Sequence, residues 1–569
     1  MSSGTSNFSY SLIYLMFTIY LINYQFRLNA KMNFSTLDII VFAAYALLII
    51  TIGLWVSRDK KGHDKSAEDY FLAGKSLPWW AIGASLIAAN ISAEQFIGMS
   101  GSGFAVGLSI ASYEWMAAIT LLIVGKYFLP VFINKGLYTI PEFVEKRYST
   151  QLKTILAVFW IALYIFVNLS SVLYLGSLAL ETTLGIPMLY GVIGLALFAA
   201  AYSLYGGLSA VAWTDVIQVV FLILGGLITT YLALNVVSDG AGVIKGFSHL
   251  IDSAPEKFHM ILDKSNPEYQ NLPGIWILIG GLWVANLYYW GFNQYIIQRT
   301  LAAKSLKEAQ KGIALAGFLK LVIPFIVVIP GIAAYVIVND PEIMLRLGEA
   351  GQSNIPAAGA SDKAYPWLLQ LLPSGLKGIA FAALAAAVVS SLASMLNSTS
   401  TIFTMDIYKP YINKNAGNKQ LVRTGRITAG IALIIASVMA PLLGGIDQAF
   451  QFIQEYTGIV SPGILAVFLL GLFWKKATNK AAIWGALLSI PIAVLLKEFV
   501  PGMPFLNQMG FTAIGTMIII VIVSYISGKG EDDPKGIDIS KGYFKTDSKF
   551  NISAFAICII TAVLYALFW

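Results

Sequence analysis

The chain has 569 residues, of which 57% are hydrophobic and only 12% charged, and its mean hydropathy is +0.73. Soluble domains carry about twice that charged fraction, so the composition excludes a soluble enzyme and predicts a polytopic, all-α membrane protein. The single cysteine, Cys558, excludes a disulfide framework and a cysteine-rich metal site. The net charge of +7 could suggest an acidic partner, but the distribution of the basic residues along the chain points instead to the orientation of the protein in a membrane.

Runs of about 18 or more mainly apolar residues predict fourteen transmembrane helices. In chain order the runs are 38–57, 78–105, 107–132, 153–181, 187–204, 212–237, 274–298, 310–338, 376–404, 424–443, 448–474, 480–499, 508–528 and 551–569. If each run crosses once, most Lys and Arg residues fall on one side of the membrane. The positive-inside rule then places both ends of the fourteen-helix body outside the cytoplasm, in a cell inner (plasma) membrane.

Residues 1–31 do not fit this pattern. The run 8–26 is apolar enough for an extra hydrophobic segment, yet no basic residue precedes it, unlike a signal peptide. Met32 directly precedes the first regular span. We therefore expect Met32 to be the native start and residues 1–31 to be an N-terminal extension.

The longest connections, at 238–273 and 339–375, carry no nucleotide-binding or metal-ligand pattern. We expect them to be extracellular loops or short surface helices. The sequence therefore predicts no enzymatic domain, no nucleic-acid partner and no obligate protein partner, only a small-molecule substrate and the lipid bilayer.

The stretch SLIAANISAEQFIGMSG, at residues 85–101, places Asn90, Ser92, Glu94 and Gln95 inside an otherwise apolar run. Backbone that unwinds at membrane depth is tolerated only where protein or a wet cavity surrounds it. Counted from the inner end of the run, residues 88–91 lie about 15 Å deep. A broken helix there exposes carbonyls for a cation and amides for a substrate.

A second polar stretch, GGLWVANLYYWGFNQ, lies in the span 274–298 and is flanked by glycines. It is the fifth span after the first broken one, it crosses in the opposite direction, and its ANL tripeptide echoes ANI at 89–91. Two interrupted helices at corresponding places predict an inverted-repeat transporter with its site between the repeats. The residues expected near the midplane are Asn286, Tyr288, Tyr289, Trp290 and Asn293.

Polar side chains within other spans complete the candidate set. Lys320 lies about 16 Å into its helix, too deep to reach water, so it requires a cavity or a partner. Glu114 is a plausible partner. Gln454, Glu455 and Asp215 also interrupt apolar runs, and a structural ion pair or interhelical hydrogen bond is the alternative for each of these side chains.

A ring of donors and acceptors suits a small neutral molecule with many hydroxyl groups, and Tyr289 could stack on its apolar face. This favours a sugar over an anion, which arginine would meet. The ring comprises Gln95, Glu114, Asn286, Lys320 and Gln454.

The span 376–404 contains AALAAAVVSSLASMLNSTS, in which Ser390 and Ser391 are adjacent near the midplane. With the carbonyls of Ala88, Ile91 and Ala387, their hydroxyls would form a five-oxygen site without a formal charge. Such a site suits a monovalent cation better than calcium or magnesium. Close helix packing through small residues is the alternative.

Four segments carry a resemblance to a known family. They are YSLYGGLSA at 202–210, AANISAEQFIGMSGSG, WVANLYYWGFNQYIIQR and AAVVSSLASMLNS, and the chain from about residue 36 onward resembles the sodium/solute symporter family. The resemblance implies a LeuT-type five-plus-five inverted-repeat core with two broken helices. Its predicted parts are a peripheral helix at 36–57, a first repeat at 78–237, a second at 274–474 and peripheral C-terminal helices at 480–569.

The resemblance also implies residue roles. Sodium, the co-transported ion, would bind at Ala88, Ile91, Ala387, Ser390 and Ser391, with Asp215 on its exit route. A neutral hexose, galactose or glucose, would bind the five-residue ring. The implied gate residues are Asn90, Met99, Tyr113, Tyr289 and Phe450.

Two alternatives remain from the sequence. One is a sodium symporter of the same fold for another small solute, such as proline, pantothenate or sialic acid. The other is a sensor or channel, which the lack of a soluble output domain and of a charged pore ring argues against.

Overall fold

The structure is a computed structural model, and it describes residues 34–56, 58, 66–444, 448–539 and 542–569. The expected extension at 1–31 lies outside the described residues. Over the described part the chain is all-helical, with one isolated bridge between Leu77 and Ala303. This confirms the predicted all-α class.

The α-helices begin and end as follows: α1 Thr36–Val56, α2 Ala67–Leu72, α3 Trp79–Asn90, α4 Ser100–Ala105, α5 Ser112–Ile123, α6 Leu129–Asn134, α7 Ile140–Arg147, α8 Thr150–Ala162, α9 Ser170–Leu184, α10 Met188–Val237, α11 Val243–Ser253, α12 Trp276–Ile279, α13 Gly281–Phe292, α14 Gln294–Leu301, α15 Leu306–Asn339, α16 Pro341–Leu347, α17 Ala364–Gln370, α18 Leu376–Ile402, α19 Asn418–Met439, α20 Ala449–Phe473, α21 Asn479–Phe499, α22 Phe505–Gly528 and α23 Ser548–Leu567. Four π-helical turns join or extend them at Glu94–Met99, Val124–Phe128, Leu163–Leu169 and Phe403–Ile412.

Within the described residues, 11 helices are long and apolar enough to cross a membrane. Three predicted spans are not among them. The spans 78–105 and 274–298 are divided into shorter helices, and Met188–Ala201 is a short apolar helix. The structure thus gives a multi-span, all-helical membrane protein, and the count of fourteen stays a prediction.

The predicted connection between the spans 187–204 and 212–237 is helical. Helix α10 runs through it and is interrupted only at Gly207, whose φ of 65° and ψ of −156° are not helical. A Cβ atom at Gly207 would lie 2.3 Å from the carbonyl oxygen of Tyr70. Only glycine satisfies both the left-handed φ and this close approach, so the two spans meet at a sharp bend without a loop.

The most buried of these long spans are Leu376–Ile412, which contains α18, and α15. Helix α15 approaches α3 closely because Gly83 faces Leu315, and Gly312 faces Ile82 at 2.8 Å from a Cβ position. At the other extreme, α1 and α23 are mostly exposed on the outside of the bundle. The polar residues of α3 and α15 are therefore carried by central helices.

The long connections contain helices, as expected. Helices α11 and α16 are partly exposed, but every residue of α17 is buried, so the expectation of surface helices is wrong for α17. Its aromatic residues explain the difference, because Trp367 fills the interior and Tyr365 contacts Phe96 at a ring separation of 5.1 Å.

Candidate functional site

Helix α3 ends in the middle of the predicted span. Ile91 is extended, with ψ of 92°, and the helix restarts as the π-helical turn Glu94–Met99. The polar side chains of the opening stretch satisfy the freed backbone: the amide of Ser92 donates to Gln95 Oε1 at 2.9 Å, and the amide of Glu94 donates to Ser92 Oγ at 2.9 Å. The predicted break of the first helix is confirmed.

The second interruption lies within the predicted stretch GGLWVANLYYWGFNQ, and the structure shows which residues form it. Asn286 is inside the regular helix α13 and its side chain donates to Leu282 O at 3.2 Å. The chain leaves helical geometry at Gly280 and at Asn293, where ψ is 120°. Asn286 thus lies inside a regular helix, and the chain is interrupted on either side of it, at Gly280 and at Asn293.

A small polar cavity lies where these helices meet. Its volume is about 40 Å³, enough for a few water molecules. All five side chains of the predicted ring line it, together with four of the five predicted gate residues. The lining residues are Asn90, Glu94, Gln95, Tyr113, Glu114, Ala117, Ala285, Asn286, Tyr289, Trp290, Lys320, Phe450 and Gln454.

Lys320 is fully buried and has three partners at this cavity. Its ammonium group forms an ion pair with Glu114, donates to Asn90 Oδ1 and lies 5.0 Å from the centre of the Trp290 ring. Glu114 is the partner that the sequence suggested. The buried ammonium group is stabilised because it contacts a carboxylate, an amide oxygen and the face of an aromatic ring.

One wall of the cavity is closed by Tyr289. Its hydroxyl accepts a hydrogen bond from Asn90 Nδ2 at 2.9 Å and from the hydroxyl of Tyr295 at 2.7 Å. Asn90 therefore uses its oxygen for Lys320 and its nitrogen for Tyr289. Movement of the Tyr289 ring breaks hydrogen bonds that also hold the Lys320 cluster.

A second wall is aromatic. Tyr113 and Phe450 meet edge to face with ring centres 5.0 Å apart. Met99 is buried but does not line the cavity. Phe450 instead packs against Gly98, where an added Cβ would lie 3.0 Å from its backbone nitrogen.

Glu94 also lines the cavity, and the sequence analysis gave it no role. Its carboxylate oxygen Oε1 is buried without a hydrogen-bond partner. The signal in the sequence was its position beside Gln95 on the polar segment. An unpaired buried acceptor in a polar cavity is a group on which a ligand hydroxyl can donate.

The predicted cation ligands come from the end of α3 and from α18, two helices that are in contact. Ala88, Ile91 and Ala387 are fully buried. Ser391 Oγ donates to Ala89 O at 3.0 Å, so α18 contacts the frayed end of α3 directly. Ser390 and Ser391 each donate their hydroxyl hydrogen to a neighbouring acceptor, so the oxygen lone pairs of both remain available to a cation.

Asp215 is held in a buried network that the sequence analysis missed. It accepts from Ser390 Oγ and Ser85 Oγ, both at 2.5 Å, and lies 3.3 Å from Arg299 Nη2. Arg299 also donates to Ser394 Oγ and to Ser85. Arg299 ends the polar motif of the span 274–298, where a basic residue is ordinarily a membrane-edge residue, so its buried position had no sequence signal.

The chain is similar to known proteins along most of its length. The family described as the sodium:solute symporter family matches residues 70–489. A sodium/glucose cotransporter of Vibrio parahaemolyticus is 67% identical over 541 residues, covering 95% of this chain and 100% of that protein. Sodium/myo-inositol cotransporter 2 of Bos taurus is 35% identical, covering 83% of this chain and 72% of its own length.

Among solved structures, the substrate-bound outward-open state of a Na⁺-coupled sialic acid symporter has a TM-score of 0.74 at 24% identity. It covers 86% of this chain and 98% of its own. This similarity shows the fold.

Proposed function

Because the chain belongs to the sodium:solute symporter family, we propose that it is a secondary active transporter that couples inward sodium movement to uptake of a neutral hexose, galactose or glucose. The observation that carries the proposal is the Lys320–Glu114–Asn90 cluster at the break of α3, which lines the cavity beside Tyr289. The Vibrio sodium/glucose cotransporter, aligned over its whole length, supports the hexose and the ion.

The sugar would bind through the ring predicted from the sequence. Lys320 donates to a sugar hydroxyl, Glu114 accepts from one, and the three amides can do either. The amides belong to Gln95, Asn286 and Gln454. Since a cavity of about 40 Å³ holds only a few waters, a hexose requires the lining helices to separate.

Sodium would bind where Ala88 and Ile91 end α3, with the serines of α18 and the carbonyl of Ala387. An ion there joins α3 to α18 and stabilises one arrangement of the two helices. It shifts the conformational equilibrium only by its difference in affinity for the two arrangements. We assign Asp215, next to Ser390, to the route by which sodium leaves.

Alternating access then follows from the two aromatic walls. Tyr289, held by Asn90, is the inner gate, and Met99, Tyr113 and Phe450 form the outer hydrophobic gate. One sodium crossing about 100 mV supplies about 2.3 kcal/mol, and a tenfold gradient adds about 1.4 kcal/mol. For one sodium per sugar, accumulation therefore has a ceiling of about 500-fold.

The proposal includes the finer topology. Fourteen spans, comprising the 11 long helices and the three shorter segments, place both ends of the body outside the cytoplasm of the inner (plasma) membrane. The core is the five-plus-five inverted repeat of 78–237 and 274–474, with 36–57 and 480–569 peripheral.

Radiolabelled galactose uptake into proteoliposomes, with and without an inward sodium gradient, tests the function. We expect uphill accumulation that requires sodium and is competed by glucose. Proline, pantothenate, sialic acid and myo-inositol serve as competing solutes. Sodium-driven uptake of one of these solutes without galactose uptake would show that this solute, and not a hexose, is the substrate. Galactose uptake that never exceeds the outside concentration would contradict coupling to sodium.

A further inference from the structure

A groove separate from the sugar cavity lies where α3, α15 and α23 begin. It has a volume of about 410 Å³ and is lined by Trp79, Lys311, Ala314, Leu315, Phe318, Lys549, Phe550 and Ser553. We call it the α15–α23 groove. Lys311 and Lys549 stand at its mouth and its other walls are mainly apolar.

The position of the groove in the bundle matches the edge of a membrane. Trp79 and Trp80 are 39% and 40% exposed, and exposed tryptophans collect at the membrane–water interface. From Lys311 to Phe318 the groove extends seven residues along α15, about 10 Å toward the membrane centre. Its mouth is therefore at headgroup depth and its floor at acyl-chain depth.

The charge at the mouth is positive. Lys311 and Lys549 line the groove, and Lys304 and Lys307 lie at or just before the start of α15, against the carboxylates of Glu308 and Asp547. Lys307 lies 3.5 Å from Asp547 and Lys311 lies 3.1 Å from Glu308, whose other oxygen accepts from the Trp79 amide at 2.9 Å. Lys311 keeps two of its three N–H donors for a ligand, and three helix N-termini add positive potential.

We propose that the α15–α23 groove binds one anionic phospholipid of the surrounding membrane. Its phosphate lies between Lys311 and Lys549, and one acyl chain packs against Leu315, Phe318 and Phe550. Basic pockets between transmembrane helices recognise anionic headgroups in this way. A zwitterionic phospholipid fits the apolar walls equally but gains less from the two lysines.

The site is coupled to transport through the helices that form it. Lys320 lies nine residues beyond Lys311 on α15, about 13 Å away along the helix. Trp79 begins α3, which ends at Asn90, the hydrogen-bond partner of Lys320. A lipid in the groove holds the starts of both helices, so its release alters the arrangement at the sugar cavity.

The test counts lipids bound to purified protein by native mass spectrometry. Phosphatidylglycerol is compared with phosphatidylcholine of the same acyl chains. We expect one phosphatidylglycerol to bind selectively, and Lys311→Gln with Lys549→Gln to weaken it about 30-fold, equivalent to about 1 kcal/mol for each lysine. Ser553→Phe, which fills the apolar part and keeps both charges, should weaken it as well.

The matched control is Lys409→Gln with Lys480→Gln, which removes two exposed lysines outside the groove. Binding should be unchanged in this control. Equal loss in both double variants, or wild-type binding in the groove variant, would overturn the site. Because Lys549 is exposed, Lys549→Gln alone tests the proposal if the double variant does not fold, with about fivefold weakening expected. The readout is lipid mass, so it is independent of the proposed transport function.

Discussion

Lys320→Met is the substitution with the clearest expected consequence. The side chains of Lys320 and Glu114 are 1% and 4% exposed, so removal of the cation leaves a carboxylate buried without its partner. Breaking a buried pair from one side costs about 3–5 kcal/mol. We expect lower thermal stability and no sodium-driven galactose uptake.

Stability loss alone does not separate a substrate-binding lysine from a structural one. The double variant Lys320→Met with Glu114→Gln removes both charges, and replacing a buried pair by neutral groups is often close to neutral in stability. We expect its unfolding temperature to recover toward wild type while uptake stays impaired. The loss of charge-assisted hydrogen bonds to sugar, about 1.5–3 kcal/mol, corresponds to about 10- to 150-fold weaker apparent affinity.

The assay measures thermal unfolding in detergent and galactose uptake in proteoliposomes for the two single variants and the double variant. Lys497→Met with Glu455→Gln is the matched control, because that pair is 3.0 Å long but 36% exposed on both sides. Exposed pairs contribute about 0–1 kcal/mol, so the control should change neither quantity appreciably. Wild-type sugar affinity in the Lys320 double variant would show that the pair is structural.

Three further substitutions test the other parts of the site. Ser391→Ala should raise the sodium concentration for half-maximal uptake about tenfold, equivalent to about 1.4 kcal/mol. The control Thr399→Ala loses a hydrogen bond only within α18 and should leave that concentration unchanged. Equal effects of the two substitutions would mean that Ser391 contributes only to helix packing. Tyr289→Phe keeps the ring but loses the bonds to Asn90 and Tyr295, so we expect faster efflux of preloaded sugar, and unchanged efflux would argue against a gate. Asp215→Asn leaves Arg299 buried without its ion pair and should lower the unfolding temperature, whereas adding Arg299→Met should restore it; no rescue would contradict the pairing.

Much of the fold was predictable because hydrophobic runs of membrane length are strong signals. The break near Asn90 was also predictable, since polar residues at membrane depth require a cavity or a partner. The second break, at Asn293, falls within the predicted polar stretch, but its exact residue was not predictable because residue type carries little information on backbone geometry. Asn293 is extended while Asn286 is helical, and nothing in their residue type distinguishes them.

The charged residues of the site were predictable where they lie deep in a predicted span, because a charged side chain in lipid requires a cavity or a partner. That requirement identified Lys320 and Glu114 as candidates, and the structure places them in contact. It did not identify Arg299, whose position at the end of a run matched an ordinary interfacial residue. The bend at Gly207 was missed because hydropathy reports burial and not direction of the chain.

The side-chain amide of Asn90 forms two hydrogen bonds to different parts of the site. Its oxygen accepts from Lys320 and its nitrogen donates to Tyr289, so the amide cannot turn over without disturbing both. A cell that lives on a sodium gradient loses energy whenever an ion crosses without cargo. In the proposed mechanism Lys320 binds the sugar and Tyr289 closes the inner side, so this one planar amide links the two, and we expect it to limit such uncoupled ion movement.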